Sequence, residues 1–154
     1  MTLTPDSFNL NFLSPDVLRP EIQAFANGFL VTLEHAAATL VLLFIGAFVY
    51  SILTPHKEIQ QIRDGNSAAA VAYGGVIISL AIPLAASMAA STSIREIFLW
   101  GVATVLLQLF VFRIIDLLLA GLPSRVNDGE VSAAVLLVAA KLSAALILAA
   151  AVAP

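Results

Sequence analysis

The sequence has no cysteine, which excludes a disulfide framework, thiolate chemistry, an iron–sulfur cluster and a thiolate zinc site. Charge is scarce too: 11% of the 154 residues are Asp, Glu, Lys or Arg, and residues 67–94 contain none. The net charge of −3 is spread over connections, so no basic face is available for nucleic acid. There is no phosphate-cradling glycine loop, dinucleotide fingerprint or G-x-S-x-G elbow. Glu34 and His35 are adjacent and point in different directions on a helix, unlike metal ligands spaced i, i+3 or i, i+4. His56 and Glu58 would reach a metal only with ligands from another chain. These absences point to a non-enzyme that calls for no cofactor.

What is present is apolar. Hydrophobic residues make up 60% of the chain and mean hydropathy is +1.01, beyond an ordinary soluble domain. A helix crosses the hydrocarbon core with about 20 apolar residues, and the chain supplies four such stretches, at 28–53, 68–90, 95–120 and 132–153. The expected fold class is all-α: a polytopic membrane protein whose solvent and first partner is the lipid bilayer. The first apolar run follows about 27 residues carrying Asp6, Asp16, Arg19 and Glu21, without the basic start of a cleavable signal. It is expected to stay as a membrane helix.

The polar stretch from Thr54 to Ala70 organises the rest. Sixty-four residues on, Asp64-Gly65 lies over Asp128-Gly129, Ala69-Ala70-Val71 over Ala133-Ala134-Val135, and Phe48 over Phe112. The chain therefore reads as two parallel two-helix repeats, residues 28–90 and 95–153, behind an N-terminal segment 1–27. In that segment Thr4-Pro5-Asp6 and Ser14-Pro15-Asp16 look like helix starts. A helix from Pro15 to Ala26 would be either an interfacial helix or part of a loosely ordered tail. Thr54-Pro55 should end the first membrane helix, because the residue before proline is driven out of the α region. Gly65 and Asn66 form the loop motif, with Gly65 suited to a left-handed turn and Ser67 to the cap of the next helix.

In the second membrane helix, Gly74, Gly75, Ser79 and Ser87 offer small residues for close helix packing in lipid. Pro83 has no N–H for the carbonyl of Ser79, which predicts a kink there and a carbonyl in need of a partner. Lys57, Arg63 and Arg125 on the loop side, against Arg19 and Arg95 on the other, orient the loops to the cytoplasm and the termini to the periplasm.

Chemistry concentrates in residues that are costly in lipid: Glu34, His35, Gln108, Arg113, Asp116 and Lys141. A charge at a helix centre costs about 2.5–3.5 kcal/mol on insertion scales, so Lys141 should turn inward. At about 1.5 Å per residue, Lys141, Arg113 and Asp116 lie about 13, 12 and 8 Å from the loop side. Arg113 and Asp116 are also i and i+3, close enough to pair. The expected arrangement is a cluster of Arg113, Asp116 and Lys141, with Glu34 and His35 at an outer entrance. It is either a proton or cation pathway or a buried network that holds helices in register.

Tyr50-Ser51-Ile52-Leu53-Thr54-Pro55-His56-Lys57-Glu58, Gly65-Asn66-Ser67-Ala68-Ala69-Ala70, Ile82-Pro83-Leu84, Trp100-Gly101 and Gln108-Leu109-Phe110-Val111-Phe112 resemble the YjfL-like family of bacterial inner-membrane proteins over about residues 30–150. That resemblance implies an inner-membrane location and four membrane helices in two repeats; the family's function is unknown. Gly129-Glu130, Asp116 and Lys141 depart from its pattern. The resulting expectation is a non-enzymatic membrane subunit of an envelope-associated system, assembled as a homo-oligomer or with a partner membrane or envelope protein. The alternative is a small channel or transporter.

Overall fold

The computed structural model describes residues 15–54 and 58–153, with side chains from Arg19 onward. Thr4-Pro5-Asp6, Pro55, His56 and Lys57 lie outside the described residues. Among the described residues six helices follow in order: α1 (Pro15–Leu53), α2 (Glu58–Arg63), α3 (Ser67–Ala90), α4 (Ile94–Leu118), α5 (Leu122–Asn127) and α6 (Val131–Val152). Among the described residues there is no strand. Four of the helices are long and apolar enough to cross a membrane: Arg19–Leu53 within α1, α3, α4 and α6. The chain divides into two compact units, Met1–Glu34 and His35–Pro154.

The first helix does not begin near Gly28 as the sequence suggests; α1 passes through Pro20 and Gly28. A glycine inside a helix costs about 1 kcal/mol relative to alanine. That is less than leaving backbone groups unpaired in lipid, where each must be satisfied within the helix. In the N-terminal unit Phe25 and Phe29, one turn apart, stack with ring centroids 5.9 Å apart.

The larger unit is organised on α3, which buries Ala68, Ala69, Ala72, Gly75, Val76, Ser79, Leu80, Pro83, Leu84 and Ser87. One apolar core joins Leu42 and Tyr50 of α1 to Val76, Leu80 and Leu84 of α3 and to Ile97, Leu109 and Phe112 of α4. A second, of small residues, brings Ala68 and Ala72 against Val126, Ala133 and Ala134. Further along, Gly75 faces Val138 so closely that a Cβ built on the glycine would lie 2.3 Å from Val138 Cγ2. Both contacts advance together along the two helices, so α3 and α6 run parallel. Close approach of small residues is how helices gain packing energy in lipid.

The connections are more structured than the sequence suggests. α2 and α5 are six-residue helices starting sixty-four residues apart, and the glycine closing each connection has positive φ, +90° at Gly65 and +86° at Gly129. The cap of α3 is Asn66 rather than Ser67: its Oδ1 accepts from Ala69 N at 3.1 Å. The same side chain donates through Nδ2 to the carbonyls of Val126 (3.0 Å) and Asn127 (3.1 Å), tying one connection to the other. Glu130, the equivalent cap of α6, makes no side-chain cap bond. Asn66→Ala is therefore expected to cost about 1–2 kcal/mol. Asn66→Asp, which keeps the cap acceptor and loses the donors, should cost less; thermal unfolding in mild detergent ranks the two. Between α3 and α4 only Ser91-Thr92-Ser93 intervene. Ser93 Oγ accepts from Glu96 N, and Glu96 Oε2 accepts from Thr92 N at 2.7 Å, a variant of the reciprocal cap that starts helices.

Candidate functional site

Lys141 lies in the middle of α6 and is 1% exposed. Its ammonium is held from several directions. Asp116 Oδ1 on α4 is 2.9 Å away, as an ion pair that leaves this oxygen without a directed hydrogen bond. Nζ donates to the Tyr50 hydroxyl on α1 at 3.1 Å. It also sits 5.0 Å from the centre of the Tyr50 ring and 5.3 Å from that of Phe112, within reach of a cation–π attraction. The two rings meet edge to face at 6.0 Å. Tyr50 passes the connection on, donating to Glu58 Oε1 at 3.0 Å. A phenol has one proton and can also accept, so Tyr50 serves both neighbours at once.

Local structure explains why these groups meet. Phe112 and Asp116 are i and i+4 on α4, hence on one face. Tyr50 occupies the last turn of α1, where Thr54 donates to the Tyr50 carbonyl through both its backbone N (3.0 Å) and Oγ1 (2.8 Å) and closes the helix. Glu58 opens α2 and is half-buried. Burial pushes its carboxyl pKa up, opposed by the Tyr50 hydrogen bond and by Lys141. Its Oε2 is buried with no hydrogen-bond partner among the described residues.

Two cavities adjoin this network. One, of about 270 Å³, is lined by Glu58, Pro123, Val126 and Asn127 among others. The second, about 390 Å³, has an apolar wall of Val49, Leu53, Leu106, Leu109 and Phe110. Tyr50, Thr54, Arg113 and Asp116 line both.

Of the residues singled out from sequence, Asp116 and Lys141 are brought together. Arg113 is not paired with Asp116: it is exposed, faces the cavities, and makes no ion pair with a described residue. The i, i+3 spacing permits the pair but does not impose it, and Asp116 meets the lysine of α6 instead. Glu34 is exposed in the N-terminal unit. His35 is half-buried, and its carbonyl accepts from Thr39 Oγ1 at 2.8 Å. Ser79 and Pro83 are buried in α3 and line neither cavity. Among the described residues Ser79 Oγ has no hydrogen-bond partner. Tyr50, Glu58 and Phe112 escaped the sequence reading as site residues. The available signal was Tyr50, one of two tyrosines in the chain, since a tyrosine in an apolar helix needs a partner for its hydroxyl. Among the described residues no group of three His, Cys, Asp or Glu is placed to hold a metal.

Four helices of membrane length and a buried lysine paired with a half-buried aspartate define a polytopic α-helical membrane protein with an internal ion pair. Residues 24–152 match the family described as Domain of Unknown Function (DUF350), and the chain belongs to that family. It is similar to the UPF0719 inner membrane protein YjfL of Escherichia coli strain K12, 33% identical over 94 residues that cover 61% of this chain and 70% of the relative. The same values hold for YjfL of Escherichia coli O157:H7. No solved structure matches. The protein is a bacterial inner-membrane protein of an uncharacterised family.

Proposed function

We propose that the protein is a non-enzymatic membrane subunit of an envelope-associated system, built from two copies of one helix–loop–helix unit and working as an oligomer or beside a partner membrane protein. The observation that carries this reading is the closed state of Lys141. Its charge is consumed by Asp116, Tyr50 and two aromatic rings, and it is 1% exposed. A lysine so enclosed fixes the register of α1, α4 and α6, the use of buried polar groups best attested elsewhere. The equal spacing of α2 with α5 and of Gly65 with Gly129 supports the duplication. One four-helix unit encloses little interior, which supports assembly with further helices.

A second reading, a small proton or cation channel or transporter, is favoured by one observation. Thr104, Gln108 and Asp116 recur along one face of α4, interrupted by Phe112. Gln108 is 0% exposed with neither amide atom hydrogen-bonded to a described residue, and Ser87 Oγ meets Thr104 Oγ1 at 2.9 Å. Proton and potassium flux in liposomes carrying the purified protein separates the two. The subunit reading expects wild-type flux no greater than in protein-free vesicles. Flux from wild type that disappears in both Asp116→Asn and Lys141→Leu would overturn it and make these charges parts of a pathway.

A further inference from the structure

The two cavities share Tyr50, Thr54, Arg113 and Asp116 in their walls and so read as one amphiphilic recess, on the flank of the ionic network, that the proposed subunit role does not use. Its lower part is a groove between α1 and α4, walled by Val49, Leu53, Leu106, Leu109 and Phe110. Leu53, Leu106 and Phe110 in this wall are exposed apolar side chains on helices of membrane length, a surface that acyl chains would cover, and the groove has a volume of about 390 Å³. Its upper part lies under α5 at the loop end and is lined by Glu58 and Asn127. Arg113 stands where the two parts join and makes no ion pair or hydrogen bond with any described residue. An unpaired guanidinium within two turns of a membrane helix end calls for an anion at headgroup depth, and its planar fork suits phosphate oxygens.

The upper part adds a carboxyl group. Glu58 lines it with Oε2 buried and unpartnered, while Oε1 is engaged by Tyr50. Asp116 also lines the recess, but Lys141 already balances its charge. Among the described residues the recess thus offers an unpaired guanidinium at the junction, a buried and unpartnered carboxyl oxygen above it, and an apolar trough below.

We propose that this recess binds a phospholipid with an ethanolamine headgroup. Arg113 takes the phosphate, Glu58 Oε2 accepts from the primary ammonium, and one acyl chain lies in the α1–α4 groove. A phosphatidylglycerol would leave Glu58 facing a headgroup hydroxyl. A phosphatidylcholine would present a trimethylated ammonium with no N–H for Oε2 to accept. The site therefore discriminates by hydrogen-bond donors as well as by charge.

The test uses the full-length protein in nanodiscs of phosphatidylcholine. Phosphatidylethanolamine, phosphatidylglycerol or further phosphatidylcholine is titrated in, and bound lipid is counted by native mass spectrometry. Wild type is expected to retain the ethanolamine lipid at least about tenfold better than the other two. Glu58→Gln, which keeps an acceptor for the Tyr50 hydroxyl, should erase that preference while leaving phosphatidylglycerol retention unchanged. Arg113→Gln should weaken retention of all three. Both variants sit at the cavity surface, and unchanged thermal unfolding without added lipid certifies their folding. Equal retention of the three lipids by wild type, a preference for phosphatidylglycerol, or a preference that survives Glu58→Gln would each overturn the proposal.

Discussion

Asp116→Ala is expected to lower stability by about 3 kcal/mol, toward the lower end of the 3–5 kcal/mol typical when one partner of a buried ion pair is removed. The lower end applies because the Asp116 side chain is 16% exposed toward the cavities whereas Lys141 is 1% exposed. The loss comes mainly from the lysine. Without Asp116 its ammonium keeps only the Tyr50 hydroxyl and two ring faces, and a lone charge in an apolar interior is costly. For a chain of this size the unfolding midpoint should fall on the order of 10 °C. Lys141→Met removes the group that needs compensation, so the double variant Asp116→Ala/Lys141→Met should be more stable than Asp116→Ala alone. That inequality is the coupling a double-mutant cycle measures. An unchanged midpoint for Asp116→Ala in detergent and in bilayers would remove the ion pair from any account of the fold.

Gly75→Leu is expected to disrupt the seam between α3 and α6, by at least about 3 kcal/mol. A Cβ at Gly75 would come within 2.3 Å of Val138 Cγ2, 2.6 Å of Cγ1 and 2.9 Å of Cβ. All three atoms belong to a β-branched side chain whose χ1 is stiff in a helix, so the clash is relieved only by parting the helices. Gly75→Ala should show a smaller version of the same loss, and Val138→Ala should return part of it by removing the two nearest atoms. The neighbouring glycine is the control. A Cβ at Gly74 meets nothing within 4 Å, so Gly74→Ala should be neutral or should gain up to about 1 kcal/mol of helix propensity. Thermal unfolding of the four variants decides whether the seam is specific to one glycine.

These two sites show where reading by sequence stops. Gly74 and Gly75 are indistinguishable as letters, and both qualify as small residues in an apolar helix. Only the rotation of α3 against α6 makes one a contact and leaves the other open. Arg113 and Asp116 likewise satisfy the spacing for a pair on one helix. The pair does not form: Asp116 meets Lys141, from a helix far along the chain, while Arg113 stays exposed. Tyr50 and Glu58 belong to α1 and α2, and no spacing rule connects them to Lys141, ninety-one residues beyond Tyr50.

What the sequence determined alone was the solvent and the four long helices. Apolar runs of membrane length, separated by Gly65-Asn66, Ser91-Thr92-Ser93 and Gly121-Leu122-Pro123, specify four spanning helices, because backbone in lipid has almost no alternative to the helix. It also marked Lys141 as inward-facing, since the insertion cost of a central lysine leaves few other places for it. The tertiary structure alone decided which carboxylate answers that lysine, which glycine lets two helices touch, and which cap ties the two connections together. Each depends on distances between helices of a few ångströms, set by packing of many side chains at once rather than by the period of any single segment.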